Sequence, residues 1–208
     1  MPNRPRFTQL EIVAMRDASL AGHTAWDKNA RLKTLKRKIK KFGKIKTANQ
    51  CCYCMSNNYG EFAMVLDIEH ILPKSIFPKY MFTGKNLAIS CKRCNMQIKK
   101  ADVSFLAHHI TGTSRRVFRS RYYSFIHPNL DFYESHLHRC VVQNGRKMMV
   151  AYKIVNGSAK GSYTYNYFNL KNLELNSFDG AQGMKGRAEI KNAVVASRFN
   201  ALVSAMSS

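Results

Sequence analysis

Over the first fifty positions apolar residues return every three or four places, the period of helices lying on a core. Thr8-x-x-Glu11 has the form of a capping box, with Phe7 and Ile12 placed to staple across it. It predicts a helix over residues 9–20 that stops at Gly22. Thr24-x-x-Asp27 opens a second helix, predicted to run to Gly43, with Leu32, Leu35, Ile39 and Phe42 on one face. The period then shortens. Residues 64–69 alternate as a strand, Leu66 and Ile68 on one face and Asp67 and Glu69 on the other. Residues 86–90 predict a second short strand, and residues 94–100 the start of a helix. From Val141 onward the pattern is β-like, with Asn144-Gly145 between apolar runs as a hairpin signal. The alternation in residues 162–170 predicts another half-buried strand. A last helix is predicted over residues 188–206, with Ile190, Val194, Phe199, Leu202 and Val203 near one face. The pattern divides the chain into a helical region at 1–50, a core at 51–105 and an α/β extension at 106–208. The class is α+β.

Composition sharpens this picture. The 208 residues are 45% hydrophobic, enough for a real core and too much for a disordered chain. Lys and Arg number 34 against 12 acids, a formal charge of +22, so a polyanionic partner is expected. Residues 31–46 alone hold nine basic residues and no acid, which nominates Lys36, Arg37, Lys40 and Lys41 for phosphate contacts. A merely solvated helix face is the other reading of such a run. No stretch of 18 apolar residues exists to span a membrane, and residues 1–10 lack the apolar segment of a secretory signal. A cytoplasmic protein is expected.

Five of the six cysteines fall within residues 51–105. Cys51-x-x-Cys54 and Cys91-x-x-Cys94 form two knuckles, and four thiolates delivered as two such pairs suit a tetrahedral structural Zn²⁺ site. Disulfides, or a single redox-active pair, are the alternatives. Cys52 lacks the spacing to Cys54, and the isolated Cys140 reads as a small buried hydrophobe.

Between the knuckles a carboxylate, a histidine and an asparagine come within reach of one another. Carboxylate and amide oxygens can hold a hard cation, and a neutral imidazole can take a proton from water. That set suits metal-assisted phosphodiester hydrolysis. Cys51-x-x-Cys54, Glu69-His70-x-x-Pro73-Lys74-Ser75, Asn86-Leu87 and Cys91-x-x-Cys94-Asn95 resemble, in order, the HNH family of ββα-metal nucleases. The resemblance covers about residues 51–102, a quarter of the chain. It implies a zinc-stapled ββα core that cleaves DNA with Mg²⁺ or Mn²⁺. By resemblance, His70 is the general base, Asn86 orients the catalytic loop, Glu69 and Asn95 bind the divalent ion, and Lys74 contacts phosphate. Glu69 stands where the family usually has Asp, so Asp67 competes as the ligand. The family's common Lys-Gly after the Cys-Asn pair is absent, which leaves the contacts of Lys99 open.

A finer resemblance is to the HNH subunits of bacterial anti-phage systems such as Septu, which share the EHxxPKS core and a segment like residues 126–131. It implies a partner, an SMC-like ATPase. Two other classes compete: a non-catalytic zinc-stabilised module that binds nucleic acid, and a basic RNA-associated protein. His108 and His109, and His136 with His138, form pairs without an evident third ligand and read as ordinary polar residues.

Overall fold

A computed structural model describes residues 5–61, 64–107, 110–111, 114, 116–176 and 192–205. The pair His108 and His109, Ile190, Met206 and the side chain of Val203 lie outside the described residues. The protein is α+β, with helices and small antiparallel sheets. It divides into two units, residues 1–133 and 134–208.

The first unit opens with α1 (Gln9–Ala21). Its capping box forms as the pattern predicts: the Thr8 hydroxyl accepts from the Glu11 amide, and Glu11 accepts from the Thr8 amide. The helix ends at Gly22, whose φ of 90° a side chain would resist. The predicted second helix is broken in two. A single turn, α2 (Ala25–Lys28), is followed by α3 (Leu32–Lys46). Thr24 makes no capping bond, and Asn29 leaves helical geometry while its side chain accepts from the Arg31 amide at 3.0 Å. Nor does Gly43 end α3, which continues to Lys46. A Cβ at Gly43 would sit 2.3 Å from Cγ1 of Ile89, so this glycine lets the helix backbone lie against a strand.

That strand is β2 (Leu87–Cys91), paired antiparallel with β1 (Leu66–His70) from Leu66 opposite Cys91 to His70 opposite Leu87. Ala14, Ala18, Trp26, Leu32, Leu35, Ile39 and Met81 form the core between helices and strands, with Ile68 and Leu87 packed against it. A π-helix (Arg93–Lys99) follows β2, closed by an i→i+5 bond from the Lys100 amide to the Asn95 carbonyl at 2.8 Å.

In the second unit β3 (Leu137–Asn144) and β4 (Lys147–Ile154) make the hairpin that Asn144-Gly145 signals, and the two-residue β5 (Leu175–Asn176) extends it. The predicted strand at 162–170 is instead covered largely by a helix, α4 (Ala159–Tyr167). Ser158 caps it, Thr164 bonds back to the Lys160 carbonyl, and a Cβ at Gly161 would meet the His136 carbonyl at 2.2 Å. Close packing at a glycine thus overrides the β preference of Tyr and Thr. The last helix, α5, is described over Ala193–Ala205. Its Phe199 packs with Met149 and Cys140, the latter buried as expected.

Candidate functional site

The two knuckles bring four thiols together. The sulfurs of Cys51, Cys54, Cys91 and Cys94 all lie within 4.8 Å of one another, and all six cysteines are free. A tetrahedron of 2.3 Å zinc–sulfur bonds separates its sulfurs by about 3.8 Å, and Cys54 and Cys91 stand 3.8 Å apart. The first knuckle is a tight turn closed by the Met55 amide on the Cys51 carbonyl, and the Cys52 amide ties it to the Ile89 carbonyl of β2. Burial alone would raise the Cys51 thiol. Hydrogen bonds with Cys52, Cys54, Cys91 and Cys94 outweigh it and hold Cys51 well below the usual thiol range. The Cys54 and Cys94 thiols are pushed up, first by their hydrogen bonds with Cys51. Cys91 is shifted down as Cys51 is, so the four thiols divide two and two, and a cation is what would let all four deprotonate together. The cluster could bind zinc.

A cleft of about 760 Å³ opens beside this cluster's strands, lined by Glu69, His70, Asn95 and Lys74 together with Lys33, Lys36, Arg37 and Lys40 of α3. Asp27, Asp67 and Trp26 line it as well, whereas Lys41 does not. Residues nominated from three separate stretches of sequence thus share one cavity.

His70 ends β1 and is buried. Its Nε2 lies 3.1 Å from the Met81 carbonyl, which can only accept, so Nε2 carries the proton and Nδ1 the lone pair. Trp26 meets the imidazole edge-on at 4.5 Å. Burial lowers the His70 pKa to about 4 despite the Met81 hydrogen bond, so the ring is neutral at physiological pH.

Glu69, next to His70 on β1, is buried with Lys99. The Lys99 ammonium stands 2.9 Å from Oε1 of Glu69 and donates to the His70 carbonyl at 3.0 Å. The Tyr53 hydroxyl donates to the same Oε1 at 3.1 Å. Burial raises the Glu69 pKa, and Lys99 and Tyr53 oppose that shift. Lys99 comes four residues after Asn95, on the same side of the π-helix. Asp67 is only partly buried and makes a long ion pair, 3.9 Å, with Lys40.

Asn86 is fully buried and outside the cleft lining. Its Oδ1 accepts from the Leu72 amide at 2.7 Å, and its Nδ2 donates to the carbonyls of Leu72 and Tyr80. These bonds clamp the long 71–86 connection directly after His70. Asn129 in turn donates to the carbonyls of Lys85 and Leu87, holding Asn86 from both sides.

The basic face of α3 is less free than its composition suggests. Lys36 donates to the Trp26 carbonyl at 3.0 Å and lies over its ring. Lys38 pairs with Glu11 at 2.7 Å. Lys74 pairs with Asp27 at 3.1 Å. Arg37 and Lys41 remain exposed. Trp26 and Tyr53 were not singled out by sequence reasoning, Asp27 was named only for a helix start, and Asn129 only within the 126–131 segment. Tyr53 carried a usable signal in its place inside the first knuckle, and Asn129 in its place in that segment. His136 and His138 bond to the Ser158 hydroxyl and the Glu134 carbonyl, as ordinary polar residues do.

The class defined so far is an α+β protein with a four-cysteine cluster able to hold metal and a basic cleft beside it. Forty-seven residues, 23% of the chain, are 40% identical to the Septu protein PtuB of Bacillus thuringiensis. The match spans 18% of that relative's length. No family model and no solved structure matches the chain. No helix among the described residues is long and apolar enough to cross a membrane.

Proposed function

We propose that the first unit is an HNH-type endonuclease that hydrolyses DNA phosphodiester bonds with Mg²⁺ or Mn²⁺, acting in anti-phage defence beside an SMC-like ATPase. The carrying observation is the single cleft that collects Glu69, His70, Asn95, Lys74 and the cations of α3. The limited likeness to the Septu protein supports the defence setting.

His70 takes the proton of the attacking water on Nδ1, because Met81 occupies its other nitrogen. Burial keeps that nitrogen unprotonated above roughly pH 5, a unit beyond the value of about 4. Trp26 and the Met81 carbonyl fix the ring, and Asn86 fixes the loop that follows it. Glu69 and Asn95 would hold the divalent ion. Both contacts to Glu69 fall on Oε1, so the other oxygen is the one left to a cation. One carboxylate and one amide, completed by water and phosphate, suit Mg²⁺, which rarely takes an all-protein cage. When bound, the ion supplies stabilisation of the charge that develops on the phosphate and leaving oxygen. Lys33, Arg37, Lys40 and Lys74 hold the phosphate backbone along the cleft.

A second reading draws on the Glu69–Lys99 pair: a carboxylate already neutralised by a buried ammonium suits a zinc-stabilised module that binds nucleic acid without cutting it. Mg²⁺- or Mn²⁺-dependent nicking of supercoiled plasmid separates the two. His70→Ala should lower nicking by roughly 10²–10⁴-fold at unchanged zinc content. Equal nicking by wild type and variant would remove His70 as the general base, and no nicking by the wild type with either metal would favour the non-cutting module.

A further inference from the structure

Tyr53 belongs to both halves of the site. It lies between Cys52 and Cys54 inside the first knuckle, fully buried, yet its hydroxyl donates to Oε1 of Glu69 at 3.1 Å. We infer that Tyr53 is a positioning residue that couples the four-thiol cluster to the carboxylate of the cleft, so that an intact cluster sets the affinity of the cleft for a divalent cation. This rests on the reading of Glu69 as a ligand of that cation.

The knuckle fixes the tyrosine independently of its hydroxyl. The Cys52 amide is bonded to β2 at 2.9 Å, the Tyr53 carbonyl accepts from the Tyr133 hydroxyl at 2.9 Å, and the ring packs edge-on against Phe125 at 5.5 Å. The phenol therefore arrives at Glu69 from a frame anchored on the thiols. Lys99 approaches the same oxygen from the π-helix, which begins just before Cys94. Two arms leaving the two knuckles thus converge on one carboxylate oxygen. Their donors leave the carboxylate little freedom to rotate and reserve its second oxygen. Groups of this kind, bonded to a metal ligand rather than to the metal, typically change metal affinity 10–100-fold when removed. A hydroxyl that served only to satisfy its own burial would show no such effect.

Tyr53→Phe removes the hydroxyl and keeps the ring, so the knuckle's packing survives. The purified full chain, carrying its zinc, would be titrated with Mn²⁺ alone and free Mn²⁺ read by electron paramagnetic resonance, with Glu69→Gln as reference. Tyr53→Phe should retain the zinc content of the wild type while its Mn²⁺ dissociation constant rises about 10–100-fold. Mn²⁺ binding that needs Glu69 but is unchanged in Tyr53→Phe overturns the inference alone. Loss of zinc from Tyr53→Phe also overturns it, because the hydroxyl would then be serving the fold. Binding that is absent from the wild type, or indifferent to Glu69→Gln, overturns the ligand reading and this inference with it.

Discussion

The thiol cluster and the cleft meet at the π-helix, the cluster reaching it from β2 and the cleft from β1, yet they are assembled in opposite ways. The cluster takes four side chains of one kind from two short pairs and gathers their sulfurs within 4.8 Å. Its members repel one another once ionised, so a single cation could complete it. The cleft draws on α2, α3, β1, the 71–86 connection and the π-helix, and its acids already have cations beside them. Glu69 has Lys99, Asp67 has Lys40 and Asp27 has Lys74. On the proposed function the first serves stability and the second recognition: a missing thiol should damage the fold, whereas a missing cleft group should mostly change what binds.

The harshest way to break the comparison is to remove a thiol. Structural zinc contributes on the order of 10 kcal/mol to folding in small zinc peptides. Cys54→Ser or Cys94→Ser should lose bound zinc by metal analysis and unfold the 51–105 region at lower denaturant. Cys140→Ser, in the apolar cluster with Met149 and Phe199, should keep its zinc. Full zinc in both knuckle variants would erase the distinction drawn between the two regions.

Lys99 tests the boundary between them. It is fully buried, as is Glu69. Removing one partner of a buried pair leaves an uncompensated charge and typically costs 3–5 kcal/mol, whereas removing both can be nearly neutral. Lys99→Met should therefore lower unfolding stability by about that amount, and Lys99→Met with Glu69→Gln should regain much of it. If the double variant is no more stable than Lys99→Met, the pair is not what holds this part of the cleft together.

The cluster was legible in the sequence because its geometry is local: two residues between each pair of cysteines suffice to aim the thiols. The cleft was legible in its parts, since a carboxylate, a histidine and an asparagine recur near strand and helix ends. Its pairings were not. Nothing in the spacing says that Lys99 turns inward to Glu69 or that Lys36 is spent on the Trp26 carbonyl. Both follow from how the helices pack, and Gly43 shows the same limit. Read along the chain it is a helix stop; against Ile89 it is the clearance that brings α3 onto β2. In the second unit the Asn144-Gly145 turn was visible because a hairpin turn is local. The aromatic alternation at 162–170 misled because a capped helix packed at Gly161 shows no two-residue period.

The smallest effect expected, and the one that most sharpens the comparison, concerns which cations of α3 are free to meet phosphate. Lys33 and Arg37 are exposed and line the cleft, and Lys40 lines it with only a 3.9 Å ion pair to Asp67. Lys36 lines it too, but its ammonium is held by the Trp26 carbonyl at 3.0 Å. Removing a cation that neutralises one phosphate of B-DNA should flatten the slope of log K against log[salt] by about 0.9. Lys33→Gln, Arg37→Gln and Lys40→Gln should each do so, across unrelated DNA sequences alike. Lys41→Gln, at a position that does not line the cleft, should change the slope less. Lys36→Gln should leave it nearly intact and lower thermal stability instead, since the loss falls on Trp26. Fluorescence anisotropy over a salt series reads all five variants. An equal change of slope in every one of them would mean that the bonds made by Lys36 do not outlast DNA binding, and that the cleft, unlike the thiol cluster, rearranges around its ligand.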